Sequence, residues 1–181
     1  MRLLLDACVL YPTVMREVLL GVAKRGLFQP QWSARILEEW ARAAARHGAA
    51  QEMQARGEIA LVRATFPEAE VAPPPALENR LWLPDDNDIH VLAAAIAGSS
   101  DQIITLNAKD FPRGVLAEEG LDRTDPDTLL YGFWQTDRAE VETVARNVLQ
   151  TARDVSKDDW QMRPLLKKAR LPRLAKALAD L

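Results

Sequence analysis

Acidic side chains occur at four separated places in this chain, each of which can deliver a carboxylate from a buried element. They are Asp6, the pair Glu38 and Glu39, the group Asp85, Asp86 and Asp88, and Asp110. Acids at the ends of parallel strands, with others on nearby helices, can converge in the crevice where open α/β sheets hold ligands. Converging carboxylates repel one another unless a hard divalent cation lies among them. The pattern therefore predicts a metal-dependent enzyme.

The chemistry expected of such a site is phosphodiester hydrolysis. Mg²⁺ or Mn²⁺ prefers carboxylate and water oxygens and keeps positions open for a substrate phosphate. Two such ions roughly 4 Å apart can activate a water and stabilise the leaving oxygen. No side-chain nucleophile is then needed. We accordingly expect His47 and His90 to be structural or surface residues, and Cys8 to be a small packing residue.

Each acid also has an ordinary structural explanation. A strand-end aspartate can be a cap, and Glu38 and Glu39 can be solvated helix charges. Asp85 and Asp86 suit a turn, and Asp88 suits the positive end of a helix dipole. These explanations do not account for the order of the acids along the chain, which is strand end, helix, helix start and strand end.

The elements that must position the acids follow from hydrophobic patterning. Residues 3–5 are wholly apolar and predict a buried parallel strand that ends at Asp6, and residues 102–105 predict a second strand. Further strands are predicted at 28–32 and at Val71, and helices at 14–22, 33–44, 49–66, 88–97, 126–134, 137–152 and 165–181. Alternating β and α segments predict an α/β fold, a parallel sheet with helices on both faces, followed by a purely helical tail.

Length and composition limit the class of protein. The 181 residues, 48% hydrophobic and 27% charged, suit one globular domain or one domain with a helical appendage. The net charge of −3 argues against a generally basic nucleic-acid surface. A single cysteine excludes an internal disulfide and a thiolate zinc site. No apolar stretch approaches a membrane span and no signal peptide precedes Asp6, so we expect a reducing cytoplasm.

Four segments, in this order and spacing, resemble the PIN-domain ribonucleases, nearest the VapC-type toxins of bacterial toxin–antitoxin pairs. The segments are LLLDACVLYP, WSARILEEW, PDDNDIHVLAAAI and IITLNAKDFP, and the resemblance covers about residues 1–115. It implies a three-layer α/β/α sandwich with a short parallel sheet, and Mg²⁺- or Mn²⁺-dependent cleavage of RNA. It also implies a cognate antitoxin protein and a homodimer. We expect a nuclease domain at 1–120 and a helical C-terminal extension at 121–181.

The resemblance also implies particular metal-binding and catalytic residues. It places the first three family acids on Asp6, Glu39 and Asp88, with Asp86 as an alternative to Asp88. Where many members have a fourth aspartate this chain has Asn107, which can offer a carbonyl oxygen but no charge.

Three further residues belong to this predicted site. Asp110 can supply the missing carboxylate directly or through water. Thr13 and Arg16 follow the first strand, where a hydroxyl and a cation can meet a substrate phosphate. Arg16 can equally be a solvated helix charge.

Three functions remain open from the sequence. The first is a metal-dependent endoribonuclease that acts as a toxin. The second is a catalytically weakened PIN domain that serves as an RNA-binding or protein-interaction module, which Asn107 favours. The third is a phosphatase or nuclease of another acid-cluster fold. This third function is the weakest, because Ala7 and Cys8 follow Asp6 where such hydrolases usually carry a nucleophilic Asp-x-Asp or a histidine-rich motif.

Overall fold

The computed structural model describes residues 1–179, so the last two residues of the predicted helix at 165–181 lie outside the described residues. The strands are β1 (Arg2–Leu5), β2 (Gln29–Gln31), β3 (Gln102–Ile104) and β4 (Asp122–Thr124). The helices are α1 (Ala7–Leu10), α2 (Thr13–Lys24), α3 (Ala34–Ala45), α4 (Ala49–Thr65), α5 (Pro75–Glu78), α6 (Ile89–Ala97), α7 (Arg113–Glu118), α8 (Pro126–Thr136), α9 (Arg138–Ser156), α10 (Met162–Lys168) and α11 (Pro172–Ala177). A 3₁₀ turn, Asp86–Asp88, leads directly into α6.

The four strands form one parallel sheet in the order β2-β1-β3-β4. Leu4 pairs with Gln31 on one side and with Ile103 on the other, so β1 and β3 occupy the two central positions. Leu3, Leu4 and Leu5 are fully buried, as expected for a central parallel strand covered on both faces. Because all strands run the same way, the residues that follow β1 and β3 emerge at the same edge of the sheet.

The chain divides into two compact units. The first contains Met1–Tyr11 with Gln29–Thr124, and the second contains Pro12–Phe28 with the described residues from Asp125 onwards. Helix α2 therefore groups with the C-terminal helices. The expected assignment of 1–120 to a nuclease domain and 121–181 to an extension stays a prediction.

Two helices of the first unit show why the sequence folds as it does. Helix α3 begins after Ser33, whose Oγ accepts a hydrogen bond from the Ile36 amide at 3.2 Å and so caps the start of the helix. Helix α6 buries residues 90–95 and contacts both β1 and β3. Its nearly uninterrupted apolar sequence is typical of a helix packed on all sides.

The second unit is built on two antiparallel helices, α2 and α9. Gly21 lies against Val144, and Arg25 Nε is 3.3 Å from Glu140 Oε2, so residue numbers rise along one helix as they fall along the other. The buried carboxylate of Asp127 accepts hydrogen bonds from the backbone amides of Arg173 and Leu174 at the start of α11.

No helix within residues 1–179 has the length and hydrophobicity needed to cross a bilayer.

Two sequence predictions were wrong in detail, and one strand was not predicted. Val71 lies outside every strand, since the only pairing there is an isolated bridge between Trp32 and Glu70. The predicted helix at 165–181 is instead two helices, broken where Arg170 adopts a left-handed φ of 60° and Pro172 starts α11. Strand β4 was not predicted at all, because its residues are only half-buried and carry no apolar pattern.

Candidate metal centre

Asp6 lies at the carboxyl end of β1, where it is 7% exposed. Its Oδ2 accepts a hydrogen bond from Thr105 Oγ1 at 2.7 Å and another from Cys8 Sγ at 2.9 Å. Thr105 follows β3 directly, so the parallel pairing of the two strands brings these residues together. The carboxylate of Asp6 is therefore held in one orientation by donors from both central strand ends.

Cys8 acts in this structure as a hydrogen-bond donor. Burial, followed by the negative charge of Asp6 and the hydrogen bond to it, raises the pKa of the Cys8 thiol to about 12. The thiol therefore stays protonated at neutral pH. Its sulfur also accepts a hydrogen bond from the Leu106 amide at 3.2 Å, which ties the loop after β3 to α1.

Three aspartates at this edge approach closely enough to share a metal ion. One carboxylate oxygen from each of Asp85, Asp88 and Asp110 lies within 4.8 Å of the other two. Asp85 precedes the 3₁₀ turn and Asp88 ends it. Asp85 also accepts hydrogen bonds from the backbone and side-chain amides of Asn87, both at 2.9 Å, so the predicted turn chemistry is present as well.

The pKa of Asp88 shows how many acids converge here. It is raised from an ordinary aspartate value to about 6, first by burial and then by the charges of neighbouring carboxylates. Those neighbours are Asp6, Asp85, Asp110 and Glu39. The four acids that were predicted to form the site therefore lie close enough to interact electrostatically. Asp85 interacts with Asp88 in the same way. Asp86 is exposed and is not among these neighbours.

Asn107 bridges two of these acids. Its Nδ2 donates a hydrogen bond to Asp110 Oδ2 and a longer one, 3.5 Å, to Asp88 Oδ2. The Asn107 backbone amide in turn donates to Thr105 Oγ1 at 3.0 Å. An uncharged amide thus lies between two carboxylates, at the position where the sequence resemblance implies an acid in many relatives.

Glu39 and Glu38 have different surroundings although they are adjacent on α3. Glu38 pairs with Arg42 and Arg56 at the surface, and Arg56 holds the pKa of Glu38 below its usual range. Glu39 Oε1 instead lies 2.7 Å from Nε2 of His90, which is only 2% exposed. This contact lacks hydrogen-bond geometry, and neither ring nitrogen of His90 has a hydrogen-bond partner within residues 1–179.

The residues present fit a hard divalent cation. The side chains around Asp88 are predominantly carboxylates, and the mutual repulsion that raises the pKa of Asp88 is what a divalent ion would relieve. The sequence analysis named Asp85 among the candidate acids but did not assign it to the metal site, because it explained that residue as part of a turn. The available signal was its spacing of three from Asp88, which places both side chains on one face of a 3₁₀ turn.

Thr13 and Arg16 belong to the second compact unit, on the first turn of α2. Thr13 is exposed, whereas Arg16 is 1% exposed and its Nε lies 3.7 Å from Glu17 Oε1. Their expected role in binding substrate stays a prediction.

The structure is an α/β protein in which several acids gather at one edge of a parallel sheet. Residues 2–109, more than half of the chain, match the model of the PIN domain family, and the chain belongs to that family. PIN domains are generally nucleases and typically depend on divalent metals. No curated protein and no solved structure matches the chain. The predicted fold class, a PIN-like α/β protein with a short parallel sheet, is confirmed.

Proposed function

We propose that this protein is a metal-dependent endoribonuclease that hydrolyses RNA phosphodiester bonds. The observation that carries the proposal is the convergence of carboxylates on Asp88, whose pKa is raised first by burial and then by four neighbouring acids. Such crowding is destabilising unless it serves to bind a cation, so it favours a metal centre over a structural role.

Each residue of the centre has a distinct part in this proposal. Asp6, Glu39, Asp88 and Asp110, joined by Asp85, would hold Mg²⁺ or Mn²⁺. The bound metal supplies an activated water and stabilises the charge that develops on the phosphate. Thr105 and Cys8 keep the Asp6 carboxylate oriented through their hydrogen bonds. Asn107 limits the repulsion between Asp88 and Asp110 by donating to both.

We further propose that the biological role is that of a toxin in a toxin–antitoxin pair, acting in the cytoplasm as a homodimer and neutralised by a small partner protein. This rests on the resemblance of the four sequence segments to VapC-type toxins. An adjacent gene encoding a short protein that copurifies with this chain and inhibits its RNA cleavage would support it.

The nuclease proposal is tested with purified protein, Mn²⁺ and a labelled RNA. We expect Asp6→Asn and Asp88→Asn each to lower the cleavage rate by roughly 100-fold or more, because each removes an oriented charge from the centre. Asp86→Asn is the matched control, since it makes the same chemical change in the same turn at an exposed position. Cleavage by Asp88→Asn as fast as by wild type would show that the assignment is wrong.

Asn107 supports a second candidate, a PIN domain with weakened catalysis that binds RNA or a protein. The side-chain amide of Asn107 donates hydrogen bonds to the carboxylates of Asp88 and Asp110. A metal ion bound there would have to compete with this amide for the same two carboxylates. If this candidate is correct, Mn²⁺ at millimolar concentration produces no binding heat, and Asn107→Asp restores both metal binding and cleavage. Tight metal binding by the wild-type protein would reject it.

A further inference from the structure

The second compact unit contains a groove with a volume of about 790 Å³, formed by α2, α9, α10 and the residues beside them. Its lining is mainly apolar and includes Val14, Val144, Val148, Val155, Trp160 and Leu165. Val155 is 79% exposed, which is unusual for a large aliphatic side chain on a helix. The groove therefore presents apolar surface to which a ligand can bind.

The lining residues of α9 form a single continuous stripe. Val144, Val148, Thr151 and Val155 follow one another at intervals of four, three and four residues, so they share one helix face. From Val144 to Val155 the stripe extends about 16 Å at 1.5 Å per residue. An occupant that covers this stripe is elongated rather than compact.

Helix α2 provides a matching stripe on the other side of the groove. Val14, Glu17, Gly21 and Lys24 line it at intervals of three, four and three residues. A Cβ placed on Gly21 would lie only 2.5 Å from Val144 Cγ1, so the two helices are in close contact at this point. The two helices touch, and each exposes a stripe of lining residues spaced three or four positions apart. Two such stripes side by side provide a surface onto which a third helix packs.

The charged residues at the groove indicate which kind of helix can bind there. Lys24 and Arg25 line the groove at the end of α2, and Arg25 is paired with Glu140, so Lys24 is the cation that α2 offers to an occupant. Lys168, whose Nζ is 4.9 Å from the centre of the Trp160 ring, is contributed by α10. Among the lining residues that the structure describes, Glu17 is the only acid. An occupant with carboxylates flanking an apolar stripe is therefore complementary to the groove.

We propose that this groove binds an acidic amphipathic helix of a partner protein, with apolar side chains against the Val148–Val155 stripe and carboxylates near Lys24 and Lys168. The proposal goes beyond the nuclease activity, because no residue of the acidic centre takes part in it. Binding and cleavage are therefore measured separately, and either can fail without the other.

The test uses the full chain and synthetic helical peptides of about 15 residues, long enough to cover the stripe. One peptide carries leucines at 3–4 spacing with glutamates elsewhere, and the second replaces every glutamate with lysine. We expect the glutamate peptide to bind with a Kd near 10 μM by fluorescence anisotropy, and the lysine peptide at least tenfold more weakly. Lys24→Glu with Lys168→Glu should reverse this preference.

Matched variants on α9 locate the binding site. Val155→Asp places a charge on the stripe and should weaken binding of the glutamate peptide at least tenfold. Thr143→Asp adds the same charge at an exposed position outside the groove and should leave it unchanged. We expect circular dichroism to show that both variants are folded, because Val155 is 79% exposed and Thr143 is also exposed.

Several outcomes would overturn the proposal. They are equal affinity for the two peptides, unchanged affinity in Val155→Asp, and no binding of the glutamate peptide at millimolar concentration. If Val155→Asp converts a dimer to a monomer in analytical ultracentrifugation, the occupant is a second copy of this chain. If single-stranded RNA displaces the glutamate peptide and binding to RNA is lost in Lys24→Glu with Lys168→Glu, the occupant is nucleic acid.

Discussion

At the scale of single residues, the crowding of acids around Asp88 lowers the stability of the metal-free protein near neutral pH. The carboxyl of Asp88 is half-buried and close to other acids, and both effects raise its pKa, to about 6. Between pH 4 and 6 the folded protein therefore holds a proton that the unfolded chain has already released. Stability contributed by this group falls as the pH rises through that window, and the loss is complete above about pH 6.

Asp88→Asn should consequently stabilise the metal-free protein. In EDTA at pH 7.5 we expect the free energy of unfolding to rise by roughly 1–2 kcal/mol, because an uncharged amide removes the repulsion. The gain should shrink towards pH 4, where the aspartate of the folded wild type is already neutral. Urea unfolding at both pH values measures this effect, with Asp86→Asn as the control. A variant less stable than wild type at pH 7.5 would contradict the electrostatic account.

The thiol of Cys8 reports on the charge of Asp6. Because its pKa is about 12, we expect alkylation by iodoacetamide at pH 8 to be roughly 100-fold slower than that of a free cysteine, or slower still. Asp6→Asn removes a charge that raises this pKa and should accelerate the reaction. Mass spectrometry of the alkylated fraction over time measures the rate. Equal rates in the variant and in wild type would show that Asp6 does not influence the thiol.

At the scale of elements, the strands that position the site and the turn beside them could be predicted, but the approach of Asp85 to the other acids could not. The apolar runs of β1 and β3 each end at a polar residue, and this pattern correctly placed Asp6 and Thr105 at strand ends. Asp85 was missed because an aspartate that caps a turn and an aspartate that faces other acids have the same local sequence. Only the path of the chain around the turn shows that Asp85 does both.

Two further features could not be predicted from the sequence. They are the strand β4 and the contact between His90 and Glu39. Residues 122–124 are polar and half-buried, so they join the sheet through backbone pairing with β3 and not through an apolar pattern. His90 was expected to be structural or a surface residue, and the structure buries it against Glu39. The two lie 51 positions apart in the chain, and no local periodicity indicates such a contact.

Two glycines on helices predict opposite responses to the same substitution. Gly21→Ala on α2 should destabilise the protein by roughly 1–3 kcal/mol, because the new Cβ would overlap the stiff side chain of Val144. Gly57→Ala on α4 should stabilise it by about 0.5–1 kcal/mol, since nothing lies within 4 Å and alanine favours the helix. Urea unfolding measures both changes. A neutral Gly21→Ala would show that α2 and α9 are less closely packed than described.

At the scale of the whole molecule, two features of different character lie in different compact units. The acidic centre is in the first unit and the apolar, basic-rimmed groove is in the second. The net charge of −3 conceals this difference, because acids at the centre offset the cations at the groove in the total. Composition therefore could not indicate either feature, whereas the order of acids along the chain indicated one of them.

The most direct test of the central claim is calorimetric titration of the metal-free protein with MnCl₂ at pH 7.5. If the carboxylates around Asp88 form a metal centre, wild type and Asp86→Asn bind Mn²⁺ with a Kd below about 1 mM, and Asp88→Asn binds at least tenfold more weakly. Equal affinity in wild type and Asp88→Asn, or no binding to wild type at about 10 mM Mn²⁺, would contradict the account.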